Sequence, residues 1–211
     1  GLAGQLTLRG EAPGTFWTLP FGQGFDEASA SSLVLIDEEM QLLQGEVIPN
    51  PGVRFHLWIY RARPALRCIV HTHPPAAAAL SMIGEPLIPA HMDSAMFYED
   101  CAYLPEWPGV PIADDEGRII SEALGDKRAI LLAHHGQLVV SDRIEEASYL
   151  AVAIERAARR QLDARAAGTI RPIEPALGRE AHDFMLKPEI VDATFHYHAR
   201  RALKESADCL D

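Results

Sequence analysis

Apolar and polar positions alternate through the first fifty residues in short bursts separated by Gly and Pro. The bursts are Leu6-Thr7-Leu8-Arg9, Thr15-Phe16-Trp17-Thr18-Leu19, Ser32-Leu33-Val34-Leu35-Ile36-Asp37 and Gln41-Leu42-Leu43-Gln44. A period of two bounded by turn formers predicts antiparallel strands joined by tight turns, one of them at Asp37-Glu38-Glu39. From Val53 the period lengthens. Phe55, Trp58, Ile59 and Ala62 recur at i, i+3, i+4 and i+7, the stripe of an amphipathic helix that Pro64 stops. A strand over 66–70 then leads into His71-Thr72-His73, and Pro74-Pro75 opens a short Ala-rich helix, where a missing proline N–H costs nothing. Residues 114–124 read as an amphipathic helix closed by Gly125, and 129–140 as one buried strand. Asp142, with Glu145 three residues on, predicts the N-cap of a long helix running toward Gly168. The tail from Glu180 reads as one more helical segment. Strands and helices interleaved in this way, without repeat or linker, predict an α/β sandwich.

Composition narrows the field. The chain has 211 residues, 48% of them apolar and 23% charged, enough to bury the core of one globular domain. Its 19 basic residues against 30 acidic ones give a formal charge of −11, which repels a phosphate backbone and excludes nucleic acid as an expected partner. No apolar run approaches the roughly 18 residues that span a bilayer. The N-terminus lacks a signal-peptide pattern, so no membrane role and a cytoplasmic location are expected. Cys68, Cys101 and Cys209 are an odd number without CxxC spacing, which predicts reduced thiols rather than a disulfide framework.

Histidine carries the candidate chemistry. On a strand His71 and His73 point to one face while Thr72 points to the other, so the pair can converge on one ion. The His134-His135-Gly136 segment offers a third imidazole. Adjacent strand residues face oppositely, so only one of that pair can join, and the glycine lets backbone come close. Three neutral imidazoles with an open fourth position are a catalytic arrangement.

With these residues in view the sequence resembles the class II aldolase/adducin family. The resemblance runs through Gly1-Leu2-Ala3-Gly4-Gln5, Leu33-Val34-Leu35-Ile36-Asp37, Phe55 to Pro64, His71-Thr72-His73-Pro74 and Leu131-Leu132-Ala133-His134-His135-Gly136. It implies a three-layer α/β/α sandwich with a central, mainly antiparallel sheet over residues 1–211. It also implies a homotetramer with active sites between subunits, and an N-terminal helix before Gly1, so that a truncated start is expected. The metal ligands it implies are His71, His73 and His135, holding one divalent ion (Zn, Mn or Fe), with a packing role left for His134.

Sugar-phosphate members of the family bind phosphate through a Gly-Asn, a Pro-Ser-Gly turn and a Ser-Ser before a glutamate. The matching positions are Gly4-Gln5, Pro20-Phe21-Gly22 and Asn50-Pro51 before Gly52. Phenyl and proline side chains cannot donate to phosphate oxygens, so an unphosphorylated carboxylate is the expected substrate. The glutamate that handles protons is also missing, replaced by Gly52. Decarboxylation needs an electron sink and a late proton donor but no base to begin, so it survives that loss better than retro-aldol cleavage. Asp93 and His91 are the candidate proton donors. Phe21, Tyr98, Tyr197 and Arg200 are candidate substrate-binding residues, Arg200 through the planar fork that suits a carboxylate. The expected activity is a metal-dependent carbon–carbon lyase, decarboxylase or aldolase. A non-haem iron oxygenase decarboxylating an aryl-pyruvate-like acid, and a non-catalytic adducin-like scaffold, stand as alternatives.

Overall fold

The computed structural model of the protein describes residues 2–110 and 114–211. Its strands are β1 (Gly4–Arg9), β2 (Thr15–Thr18), β3 (Val34–Asp37), β4 (Leu42–Gln44), β5 (Cys68–Thr72), β6 (Cys101–Leu104), β7 (Ala129–Leu132) and β8 (Gln137–Ser141). They form one sheet in the order β4-β3-β2-β1-β5-β8-β7-β6. Every neighbouring pair is antiparallel except β6 and β7, which run parallel. The expected mainly antiparallel sheet is therefore present.

The helices are α1 (Val53–Ala62), α2 (Pro75–Met82), α3 (Asp114–Leu124), α4 (Ile144–Ala167), α5 (Pro175–Met185) and α6 (Pro188–Glu205). Alternate strand residues supply two cores, because successive side chains leave opposite faces of a sheet. Ile69, Ile130, Leu132, Leu138 and Val140 pack under α1 and α3. Cys68, Val70, Leu131 and Val139 pack under α2 and α4. This alternation places His71 on the α1 face and Thr72 on the α4 face. Beyond β5 the second face is thinner: Leu6, Leu8 and Trp17 line an apolar cavity of about 400 Å³ roofed by Phe25, Ala28 and Ala30. No helix of the described residues is long and apolar enough to cross a membrane, and the three cysteines are free thiols.

Several local expectations need correction. Residues 129–140 are not one strand but a hairpin, β7 and β8, turning through Ala133-His134-His135-Gly136. His134 takes a φ of 57°, and the Leu132 N–H donates to the Gly136 carbonyl at 2.8 Å, closing the turn inside an otherwise apolar run. The left-handed backbone also turns the His134 side chain out to solvent, so it has no packing role. Asp142 does not cap α4. Arg143 in extended backbone precedes the first turn, with no side-chain cap, and Ser141 Oγ instead donates to Glu146 at 2.6 Å. The tail is two helices, since Leu186 and Lys187 break it and Pro188 starts α6 at a position needing no N–H. On α1 the buried stripe is wider than expected and shifted: His56 and Tyr60 lie inside it, while Ala62 is exposed.

Candidate metal centre

The three histidines stand at one end of the sheet. His71 lies on β5 beneath α1, His73 just past that strand, and His135 in the β7–β8 turn. The His71 ring places Nδ1 at 2.9 Å from the Gln137 carbonyl, which fixes Nδ1 as the N–H donor and leaves Nε2 with its lone pair. Nε2 of His73 is 2.9 Å from that atom. Ring centroids are 4.8 Å apart for His71 and His73, 4.7 Å for His71 and His135, and 4.5 Å for His73 and His135. One nitrogen from each ring lies within 4.8 Å of the others. A tetrahedral ion with nitrogens about 2.0–2.1 Å away would hold them about 3.3 Å apart, so the cluster has the size of such a site.

Electrostatics prepare the same task. Burial holds the His71 pKa well below the ordinary imidazole value, and the neighbouring His135, His73 and His56 rings push it further. Burial, then His73, lowers His135 to about 4, and burial also lowers His73. All three are neutral at pH 7 and present lone pairs, the protonation state a cation requires. The donor set fits a borderline divalent ion.

The surrounding sequence explains how the rings meet. A Cβ at Gly136 would fall 2.5 Å from the Thr72 carbonyl and 2.8 Å from Cδ2 of His73, so only glycine lets the turn bearing His135 approach β5. Gly4 plays the same part opposite, with a φ of 124° and a virtual Cβ 2.8 Å from the His71 carbonyl. On the α4 side, Gln137 Nε2 donates to Thr72 Oγ1 at 3.0 Å and to the Ala151 carbonyl at 2.8 Å. Glu155 accepts from the Ala76 N–H at 3.0 Å and from the Ala77 N–H at 2.8 Å, clamping the positive end of α2 directly after His73-Pro74. The close approach at Gly136 was expected from the sequence; the two polar supports were not visible as a motif. Gln137 and Glu155 read as ordinary polar residues of a strand and a helix, and only the fold aims them.

The other candidate residues lie elsewhere in this chain. Asp93 pairs with Arg160 at 2.8 Å, and His91 Nδ1 accepts from the Asp93 N–H at 3.1 Å, both on the α4 side. Phe21 is 56% exposed on the rim of a separate cavity shared with Pro20, Glu27, Ser32, Glu46 and Val47. Tyr98 precedes β6 at the far end of the sheet, its ring against Gly178 and beneath the Arg179 guanidinium. Tyr197 and Arg200 are exposed on α6. Among the described residues no hydrogen bond or ring contact joins any of these to the histidine cluster.

Sheet topology and the three-histidine end together define a class II aldolase-type domain. The family model described as "Class II Aldolase and Adducin N-terminal domain" matches residues 1–162, and the chain belongs to that family. It is 30% identical over 182 residues to a 4-hydroxy-3-prenylphenylpyruvate oxygenase/4-hydroxy-3-prenylbenzoate synthase of Streptomyces roseochromogenus subsp. oscitans, covering 85% of this chain and 66% of that protein. It is 34% identical over 144 residues to mouse (Mus musculus) alpha-adducin, covering 64% of this chain and 19% of the adducin. An L-fuculose 1-phosphate aldolase from Glaciozyma antarctica PI12 superposes with a TM-score of 0.90 at 28% identity, covering 100% of this chain and 84% of that one. The chain spans about two thirds of the length of the first of these relatives.

Proposed function

We propose that the protein is a metal-dependent carbon–carbon lyase acting on an unphosphorylated 2-oxo or aromatic carboxylate, with decarboxylation favoured over aldol cleavage. The observation that carries this reading is the convergence of three neutral imidazoles from β5 and the β7–β8 turn. His71, His73 and His135 would hold one divalent ion, Zn, Mn or Fe. When bound, such an ion supplies Lewis acidity, drawing electron density from a carboxylate or enolate as a C–C bond breaks. The residues of this chain do the rest: Gln137 fixes the His71 tautomer, Glu155 holds the segment after His73, and Gly52 brings no side chain that could act as a base. Asp93 or His91 would deliver the proton to the carbanionic carbon from a neighbouring copy in a homotetramer, where Phe21, Tyr98, Tyr197 and Arg200 would line the substrate. A cytoplasmic setting suits three free thiols.

One observation favours a second reading. A relative named as an oxygenase and one named "Decarboxylase NovR" are 30% and 29% identical over the same 182-residue length, so oxidative decarboxylation at an iron site is the alternative. Similarity to alpha-adducin supports the third, a scaffold without chemistry. The test is CO₂ release from a panel of 2-oxo acids and aromatic dicarboxylates by metal-loaded protein, with and without oxygen. Anaerobic turnover supports the lyase, strictly oxygen-dependent turnover the oxygenase, and no metal uptake the scaffold.

A further inference from the structure

α5 docks on the three residues that lead into β6, with one contact for each. Gly178 lies against the Tyr98 ring, where a Cβ would fall 2.6 Å from Cδ2. The Arg179 guanidinium pairs with the Glu99 carboxylate, and His182, one turn beyond Gly178, reaches Asp100. The segment they hold is strained: Glu99 takes a φ of 55°, a left-handed backbone that a residue with a Cβ adopts only at an energetic cost. Both ring nitrogens of His182 face carboxylates. Nε2 is 3.2 Å from Oδ2 of Asp100, and Nδ1 is 2.7 Å from Oδ1 of Asp183. An ionised carboxylate only accepts, and a neutral imidazole has one N–H, so both contacts are hydrogen bonds only when the ring is the doubly protonated imidazolium. The His182 and Asp100 side chains are 10% and 14% exposed, which makes a lost bond hard for water to replace.

The charges around this ring come from several elements. Arg128, ahead of β7, also pairs with Asp100 and joins it to Glu146 of α4. One step outward stand the Glu99–Arg179 pair and Lys127, whose Nζ donates to the Glu99 carbonyl. Asp93, on the short helix Met92–Phe97, is turned to Arg160 instead. The Asp100 hydrogen bond raises the His182 pKa above the ordinary imidazole value against the effect of burial; Asp183 adds to the rise and Arg128 works against it. Burial opposes the Asp100 charge, but hydrogen bonds from His182 and Arg128 outweigh it and hold that pKa below the ordinary carboxylate value.

We propose that His182 is a proton-operated latch, holding α5 on the strained Tyr98-Glu99-Asp100 segment while its ring carries two N–H groups and loosening it when one is lost. Because the folded-state pKa is the raised one, the latch is fully set below about pH 6.5 and is lost as pH rises through the folded value. α5 also packs against Met92–Phe97, the helix that carries Asp93. Loosening therefore reaches the candidate proton donors, a consequence that rests on the lyase reading above, whereas the latch itself does not.

Hydrogen–deuterium exchange of the full chain between pH 6 and 9, corrected for intrinsic exchange rates and read by mass spectrometry, tests the latch. Protection of α5 and of residues 98–100 should fall about three- to tenfold across that range, while β5 and β8 hold theirs. His182→Gln, whose amide does not titrate, should show low α5 protection independent of pH. Asp183→Asn alters a carboxylate 67% exposed and should move the midpoint to lower pH, which decides the matter even where His182→Gln does not fold. Constant α5 protection in the parent, an equal fall in His182→Gln, or an unmoved midpoint in Asp183→Asn overturns the latch. A fall spread evenly over α4 and the sheet overturns it too, since the whole fold would then be responding. None of these readouts involves zinc or turnover, so the latch and the lyase reading fail separately.

Discussion

Gly136→Ala tests how the histidine cluster is built. The added methyl would sit 2.5 Å from the Thr72 carbonyl and 2.8 Å from Cδ2 of His73. The first contact is with backbone of the central strand, so the turn must lift, and His135 moves with it. Overpacking of this kind costs about 1–3 kcal/mol, and misplacing a metal ligand through its support weakens metal affinity about 10–100-fold. The two effects separate by linkage. At zinc one hundred times the dissociation constant of the parent, binding stabilises the parent by about 2.7 kcal/mol; a hundredfold weaker variant gains only about 0.4 kcal/mol. For a chain of this size 1 kcal/mol moves Tm by about 2–4 °C. Thermal unfolding followed by circular dichroism should therefore show a zinc-induced rise of about 5–11 °C in the parent and, across a tenfold to hundredfold loss of affinity, about 1–6 °C in Gly136→Ala. A full zinc-induced rise in the variant would refute the claim that this glycine sets the approach of His135.

Glu155→Ala removes the carboxylate that receives the Ala76 and Ala77 amides, and should cost about 1–2 kcal/mol in urea unfolding and about tenfold in zinc affinity by chelator competition. Burial lowers the His56 pKa to about 3, against 6.5 when unfolded. Between those values only the unfolded chain takes the proton, so stability should fall with decreasing pH by about 1.4 kcal/mol per unit, starting below pH 6.5. Urea midpoints at pH 7, 6 and 5 read this, and His56→Gln should remove about 1.4 kcal/mol per unit from a slope to which the lowered His71 and His135 also contribute. Arg128→Met leaves Asp100 and Glu146, each with a 14% exposed side chain, without the guanidinium that joins them. The variant should lose about 3 kcal/mol of stability yet bind zinc normally, because Arg128 precedes β7 and the histidines lie past its other end.

The strands of the first fifty residues were legible because alternation bounded by Gly and Pro has one reading. The helix from Val53 and the one opening at Pro75 were legible for the same reason, through period and proline. The β7–β8 turn was not: it lies in a run apolar on both sides, where buried strands show no alternation, and its reversal depends on a histidine in left-handed backbone. β6 was hidden by its length of four residues and by a parallel partner distant in sequence. The pairing of His71 with His73 was readable from strand geometry, although His73 stands one residue past the end of β5, and the choice of His135 came from resemblance rather than spacing. Gly4-Gln5 and Gly52 were singled out by resemblance, and Gly136 as a point of close backbone approach. Gln137 and Glu155 acquire meaning only once β8 and α4 are assembled around His71. Phe21, Tyr98, Tyr197 and Arg200 are set apart from the cluster within one chain, so their proposed roles depend on a neighbouring copy.

Metal stoichiometry of His135→Ala beside the parent is the most direct measurement of the central claim. Protein purified without chelator and reloaded with zinc should carry one ion per chain in the parent. The variant should keep the circular dichroism spectrum and lose the ion, because the imidazoles of His71 and His73 remain without the third from the turn. Stoichiometric zinc in the variant, or none in the parent, would contradict the account.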